Sequence, residues 1–89
     1  MTSRTSTSFW KCYYGLPTEI QRAADRSFAK WSEDPQHPSL QFKRVSQTGT
    51  FYSARVNEAY RSVGQIVDDE IIWFWIGHHK VYDRLLKGL

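Results

Sequence analysis

Six consecutive apolar residues, Ile71-Ile72-Trp73-Phe74-Trp75-Ile76, constrain this chain more than any other stretch. Asp68-Asp69-Glu70 bound the run on one side and Gly77 on the other. A strand with one wet face alternates apolar and polar side chains; an unbroken run suits a strand buried on both faces near the centre of a sheet. Directly beyond it come His78-His79-Lys80 and Tyr82, so ionisable groups stand where a buried strand emerges.

The remaining segments supply partners for that strand. Residues 1–8 are small and polar and read as a frayed start or a very short edge strand. Phe9, Cys12, Tyr13 and Leu16 follow helical spacing, with Thr7 or Ser8 available as N-cap and Gly15 and Pro17 as a stop. Pro17 suits the first position of a second helix, whose Ile20, Ala23, Ala24, Phe28 and Trp31 share one face; Pro35 ends it by Asp34. The two helices form a hairpin.

After a turn-rich connector, Leu40 to Val45 alternates and reads as a strand with one basic side, and Ser46 to Thr50 as a loop. Phe51 to Val56 and Tyr60 to Val67 read as strands joined by Asn57-Glu58-Ala59, and Asp68-Asp69 turns the chain into the apolar run. A short helix ending at Gly88 closes the chain, with Val81, Tyr82, Leu85 and Leu86 on its apolar side. Helices in one run and strands in another predict an α+β fold: an N-terminal helical hairpin packed on a mainly antiparallel sheet of about four strands, with a short C-terminal helix.

At 89 residues the chain is expected to form one domain, 1–89, and its four Trp, five Tyr and five Phe furnish a core without staples. A lone Cys12 forms no internal disulfide and reads as a packing residue. No apolar run approaches ~20 residues, so neither a membrane span nor a secretory segment is expected, and the chain reads as cytoplasmic. The net charge of +3 leaves two readings open, ordinary surface scatter or a nucleic-acid patch. Between Gln41 and Arg61, however, Lys43, Arg44, Arg55 and Arg61 face a single acid, Glu58.

Arg55 and Arg61 depend on the hairpin register. A three-residue loop places them directly opposite each other, a repulsive pair tolerated most easily around a polyanion; a two-residue loop sends them to opposite faces. Guanidinium groups suit phosphate because they stay ionised and donate paired hydrogen bonds, but both residues could instead pair with Glu58 or Asp83. Imidazole is the side chain suited to exchanging protons near neutrality, so His78 or His79 could do so here, or one of them could simply cap the sheet. Tyr82 could stack on a base or plug the core. There is no glycine-rich phosphate loop and no zinc spacing, and adjacent histidines do not share a helix face, so neither cofactor nor metal is expected.

The ordered strings Leu16-Pro17…Ile20-Gln21…Ala24, Trp31…Pro35…His37-Pro38-Ser39-Leu40-Gln41-Phe42-Lys43, Tyr52-Ser53-Ala54-Arg55-Val56, Tyr60-Arg61 and Ile76-Gly77-His78-His79…Tyr82-Asp83 together resemble the RelE/ParE superfamily of bacterial toxins. The likeness runs from Phe9 to Leu86 and implies the same helical hairpin and meander. RelE-like members cleave mRNA in the ribosomal A site and are silenced by a cognate antitoxin protein. The resemblance therefore implies a metal-independent endoribonuclease in which Arg61 binds the scissile phosphate, Arg55 binds phosphate or assists the 2′-OH, His78 or His79 serves as acid–base group, and Tyr82 orients the substrate. Lys43, Arg44 and Lys80 would bind RNA. Ser53 stands where RelE has a second lysine, and histidines stand where it has an arginine, so the resemblance leaves base and acid unassigned. Two alternatives share the fold: a ParE-like inhibitor of DNA gyrase, and an inactive protein-binding member.

Overall fold

A computed structural model of the chain describes residues 1–47 and 49–89. The predicted α+β architecture forms, with elements β1 (Thr2–Thr5), α1 (Thr7–Tyr14), α2 (Thr18–Glu33), a 3₁₀ turn (Pro38–Leu40), β2 (Lys43–Arg44), β3 (Phe51–Arg55), β4 (Tyr60–Val67), β5 (Glu70–His78) and α3 (His79–Lys87). The sheet has five strands rather than about four, in the order β1-β5-β4-β3-β2, and all neighbours are antiparallel except β1 and β5. The extra strand is the polar N-terminal segment. It pairs Thr5 with Trp73, and the ladder runs on through a hydrogen bond from the Ser6 N–H to the Trp73 carbonyl at 2.9 Å. The apolar strand is thus interior, but the middle position belongs to β4.

Ser6, not Thr7 or Ser8, caps α1, its side chain accepting from the Phe9 N–H. Pro17 sits one place outside α2 as its N-cap. Near α1's end the Tyr13 hydroxyl donates to Asp25 Oδ1 at 2.8 Å; that hydrogen bond, then desolvation, then the carboxylate charge raise the phenol above its ordinary pKa.

Leu40 to Val45 is not one strand. Leu40 closes the 3₁₀ turn and is buried, Gln41 takes a left-handed φ of 44°, and only Lys43 and Arg44 join the sheet. The His37 Nδ1 accepts from the Ser39 N–H at 3.2 Å, so this histidine holds the turn. The loop expected over Ser46 to Thr50 includes Thr48, which lies outside the described residues.

A β-bulge decides which side chains of β5 face which way. Val63 pairs with Trp75 but Gly64 pairs with Trp73, which leaves Phe74 as the extra residue. Before the bulge, Ile71 and Trp73 face the helical hairpin; after it, Ile76 does. These three are buried while Ile72, Phe74 and Trp75 are half-buried, so the run is not buried on both faces as its composition suggests. The nine-residue α3 is too short to cover the whole second face. The core joins Trp31 of α2, Leu40, Ala54, Ile71 and Trp73, with Trp31 edge-on to Trp73 at 5.6 Å between ring centroids. No helix among the described residues is long and apolar enough to cross a membrane.

Candidate functional site

The central hairpin takes the three-residue-loop register. Val56 N–H donates to the Tyr60 carbonyl at 3.0 Å, and Arg55 lies directly opposite Arg61, with Gly77 next in the row on β5. By strand alternation this row shares its face with Lys43, Ser53, Val63 and Trp75. α3 packs on that same face, because Tyr82 donates to Ser53 Oγ at 2.9 Å and stacks on Trp75 at 6.4 Å. Two arginines and the start of α3 are therefore gathered on one side of the sheet, opposite the helical hairpin.

The two arginines are held differently. Arg61 Nη1 donates to the carbonyls of Asn57 at 2.6 Å, Tyr60 at 2.9 Å and Glu58 at 3.3 Å. This guanidinium locks its own hairpin loop through Nη1, and its Nε and Nη2 have no partner among the described residues. Arg55 makes no side-chain hydrogen bond or ion pair among the described residues, where the one ion pair is Arg4 with Glu70 at 3.5 Å. Neither arginine is neutralised by Glu58 or Asp83. Like charges face each other without a carboxylate between them, which favours an anionic ligand.

The histidines follow from the same loop. His78 pairs with Tyr60, edge-on at 5.4 Å, so strand alternation puts it in a row facing away from the arginines. Its Nδ1 accepts from the Lys80 N–H at 3.2 Å, which caps α3 and leaves Nε2 as the proton-bearing nitrogen of the neutral ring. His79 opens α3, with its ring stacked on that of His78 at 4.6 Å. The reading of a histidine as a structural cap thus applies to His78, while the His79 ring makes no hydrogen bond among the described residues.

Two sequence assignments need correction. Tyr82 is 8% exposed and engaged on Ser53 and Trp75, so it fills the core and offers no ring to a substrate. Ser53, where RelE has a lysine, is the buried acceptor of that contact. Arg44 is largely taken up by its own loop: its Nε donates to the Ser46 and Gly49 carbonyls and its Nη2 to the Gln47 carbonyl, which leaves Nη1 alone for RNA. Lys43 and Lys80 are exposed, on β2 and on the first turn of α3.

The structure adds residues that spacing did not single out. Arg55 borders a polar cleft of about 270 Å³ with Lys30, Ser39 and Asn57, where Lys30 Nζ donates to Ser39 Oγ at 3.2 Å. Lys30 lies on the charged face of α2, and nothing in its periodicity separates it from its neighbours. Asn57 was legible: an Asn at the start of a short loop commonly accepts from its own backbone two residues on. Its Oδ1 accepts from the N–H groups of Ala59 and Tyr60, both at 3.0 Å. The Ala59 carbonyl then accepts from the His79 N–H at 2.8 Å, so Asn57 positions the histidine pair through the loop.

Asn57→Ala is accordingly expected to speed hydrogen exchange of the His79 amide by about tenfold, the loss of one to two modest hydrogen bonds. Asn57→Asp, which keeps an acceptor in place, should restore most of the protection. Identical exchange in all three chains would show that the loop is held by Arg61 alone.

Comparison with known proteins places this geometry. The ParE-like toxin domain family matches residues 18–84. No curated protein sequence matches the chain. Among solved structures, the chain is similar to the RelB–RelE antitoxin–toxin complex from Methanococcus jannaschii, with a TM-score of 0.72 and 19% identity over 91% of this chain and 96% of that one. It is similar to the RelBE2 toxin–antitoxin complex from Mycobacterium tuberculosis at 0.69 and 23%, covering 86% and 95%. YafQ from Escherichia coli superposes at 0.72 with 9% identity, covering 90% and 94%. These likenesses establish the fold.

Proposed function

Because this chain belongs to the ParE-like toxin domain family, we propose that it is the toxin of a toxin–antitoxin pair and acts as a metal-independent endoribonuclease on mRNA at the ribosome. The observation that carries the nuclease reading is the unneutralised Arg55–Arg61 pair beside the start of α3.

Cleavage by 2′-OH attack needs positive charge where the phosphorane forms, a group to take the 2′ proton and an acid for the departing 5′ oxygen. Arg55 supplies a mobile guanidinium; Arg61, anchored through Nη1, supplies a pre-oriented one. His79, with His78 Nε2 beside it, supplies the proton transfers. Lys43 and Lys80 extend the cationic track along the RNA backbone. DNA lacks the 2′-OH and is spared. The structural neighbours solved as antitoxin–toxin complexes support a cognate antitoxin as the resting partner.

A second reading, inhibition of DNA gyrase without nuclease chemistry, rests on the family's ParE-like description. Induced expression followed by mapping of mRNA 5′ ends separates the two. New 5′ ends that vanish with His79→Ala support the nuclease. Growth arrest with unchanged mRNA and gyrase-dependent DNA breaks would overturn it.

A further inference from the structure

The row that carries Arg55 and Arg61 continues onto Gly77 of β5, and the space above that glycine is taken. A Cβ built on Gly77 would meet the Trp75 ring, 2.6 Å from Cζ2 and 2.9 Å from Cη2. Trp75 shares the face of the arginines because it pairs with Val63, two residues along β4 from Arg61. Its indole therefore leans over Gly77 into the arginine row. Adjacent strands lie about 4.8 Å apart, so the ring stands one strand from Arg61 and two from Arg55.

A tryptophan within an apolar run reads as core, and two others show what core means in this chain. Trp31 and Trp73 are 3% and 4% exposed and seal their indole N–H groups inside the protein. Trp75 differs: it is half-buried, stands outside the cluster that joins those two, and does not seal its N–H. Tyr82 lies nearly parallel to it, with ring centroids 6.4 Å apart and planes at 27°, and is itself fixed on Ser53. The Trp75 ring is thus braced from one side, and a group held before binding loses little freedom on binding. Neighbouring aromatics are otherwise disposed. Tyr60 and His78 face away from the arginines, and Phe51 and Phe74 engage each other edge-on at 5.8 Å.

Single-stranded RNA is held through its phosphates by cations and through its bases by aromatic faces. A phosphate at the Arg55–Arg61 pair places the attached base one ribose away, within reach of the neighbouring strand. We propose that Trp75 stacks on the base adjoining the scissile phosphate, the part that the fold denies to Tyr82. This inference rests on the nuclease reading for the position of the phosphate. Every base has a π-face, so Trp75 contributes affinity and orientation without a sequence preference of its own. Gly77 is its companion, since any side chain there would push the ring out of the row.

The test uses the full chain labelled with ¹⁵N, titrated with a short 2′-O-methylated oligoadenylate, which cannot be cut, and with its abasic counterpart carrying the same phosphates. The indole N–H signals report on each Trp individually. The expected result is saturable movement of the Trp75 signal with the base-bearing strand, still Trp31 and Trp73 signals, and about tenfold weaker binding of the abasic strand, the order of one lost stack. Trp75→Leu should bring the two strands to equal affinity, because structural damage alone would weaken both alike. Should that variant fail to fold, Gly77→Ala, which displaces the ring without removing it, should narrow the difference. Equal affinities on the unaltered chain, a Trp75 signal unmoved at millimolar RNA, or a tenfold difference that survives in Trp75→Leu would overturn the proposal. Cleavage is read separately. A chain that cuts ribosome-bound mRNA while Trp75 stays unmoved loses this inference alone, and one whose Trp75 responds but which never cuts loses the nuclease reading alone.

Discussion

Arg55→Ala is expected to lower cleavage of ribosome-bound mRNA by about 10²- to 10³-fold, the order lost when one charge-stabilising donor is removed from a reacting centre. Its stability should stay within about 0.5 kcal/mol of the unaltered chain, because the guanidinium holds nothing among the described residues. Arg61→Ala is expected to lose a similar factor and also about 1–3 kcal/mol of stability, since Nη1 ties down three loop carbonyls. Arg61→Lys keeps the charge but cannot donate to three carbonyls and a phosphate in one plane, so its activity should lie nearer to Ala than to Arg. Cleavage assays paired with urea unfolding read both quantities. An Arg55→Ala protein that cuts mRNA at the normal rate would remove the basis for the nuclease reading, whatever Arg61 does.

The second large effect is on the fold. Trp31→Ala should cost roughly 3–5 kcal/mol, the range for removing a large buried ring, from a domain whose whole stability is expected at about 5–15 kcal/mol. The reason is position: Trp31 touches Trp73 at 5.6 Å, Phe42 at 5.7 Å and Phe28 at 6.4 Å, and α2 buries little else besides Ala23 and Ala24. Trp31→Phe should cost less than half as much. It leaves a smaller gap and removes a buried N–H that has no acceptor among the described residues. Thermal unfolding followed by far-ultraviolet dichroism distinguishes the two. Equal losses for Ala and Phe would mean that the full outline of the indole, rather than the burial of an aromatic ring as such, holds the core.

Much of this architecture was legible because it rests on local chemistry. The apolar stripe of α2, the prolines at its borders and the alternation of β3 and β4 follow from helical and strand periodicity. The Asp68-Asp69 turn was legible as a turn, though both residues adopt a left-handed φ, 50° and 63°, a conformation that Asp tolerates better than most side chains. The strand at Thr2–Thr5 was legible only as one of two alternatives, and the strand read over Leu40 to Val45 shrinks to Lys43 and Arg44, since backbone pairing with a neighbour sets both and their side chains carry little pattern.

The site divides along the same line. The amino-acid sequence by itself supplied the chemistry: two arginines around a short loop, and two histidines after a buried strand. It left open whether the arginines share a face, because a change of one residue in the loop inverts every side chain beyond it. Tertiary structure settled that in favour of a facing pair, and it decided which polar groups are already occupied. Arg44 and Tyr82 carry the right chemistry for a substrate, but the carbonyls of the next loop engage the first and the distant Ser53 the second, contacts that only the folded loop and sheet bring about. The run from Ile71 to Ile76 shows the limit most plainly. Its composition specified a buried strand, while the bulge at Phe74 decided which of its rings face the helical hairpin and which lie beside the arginines.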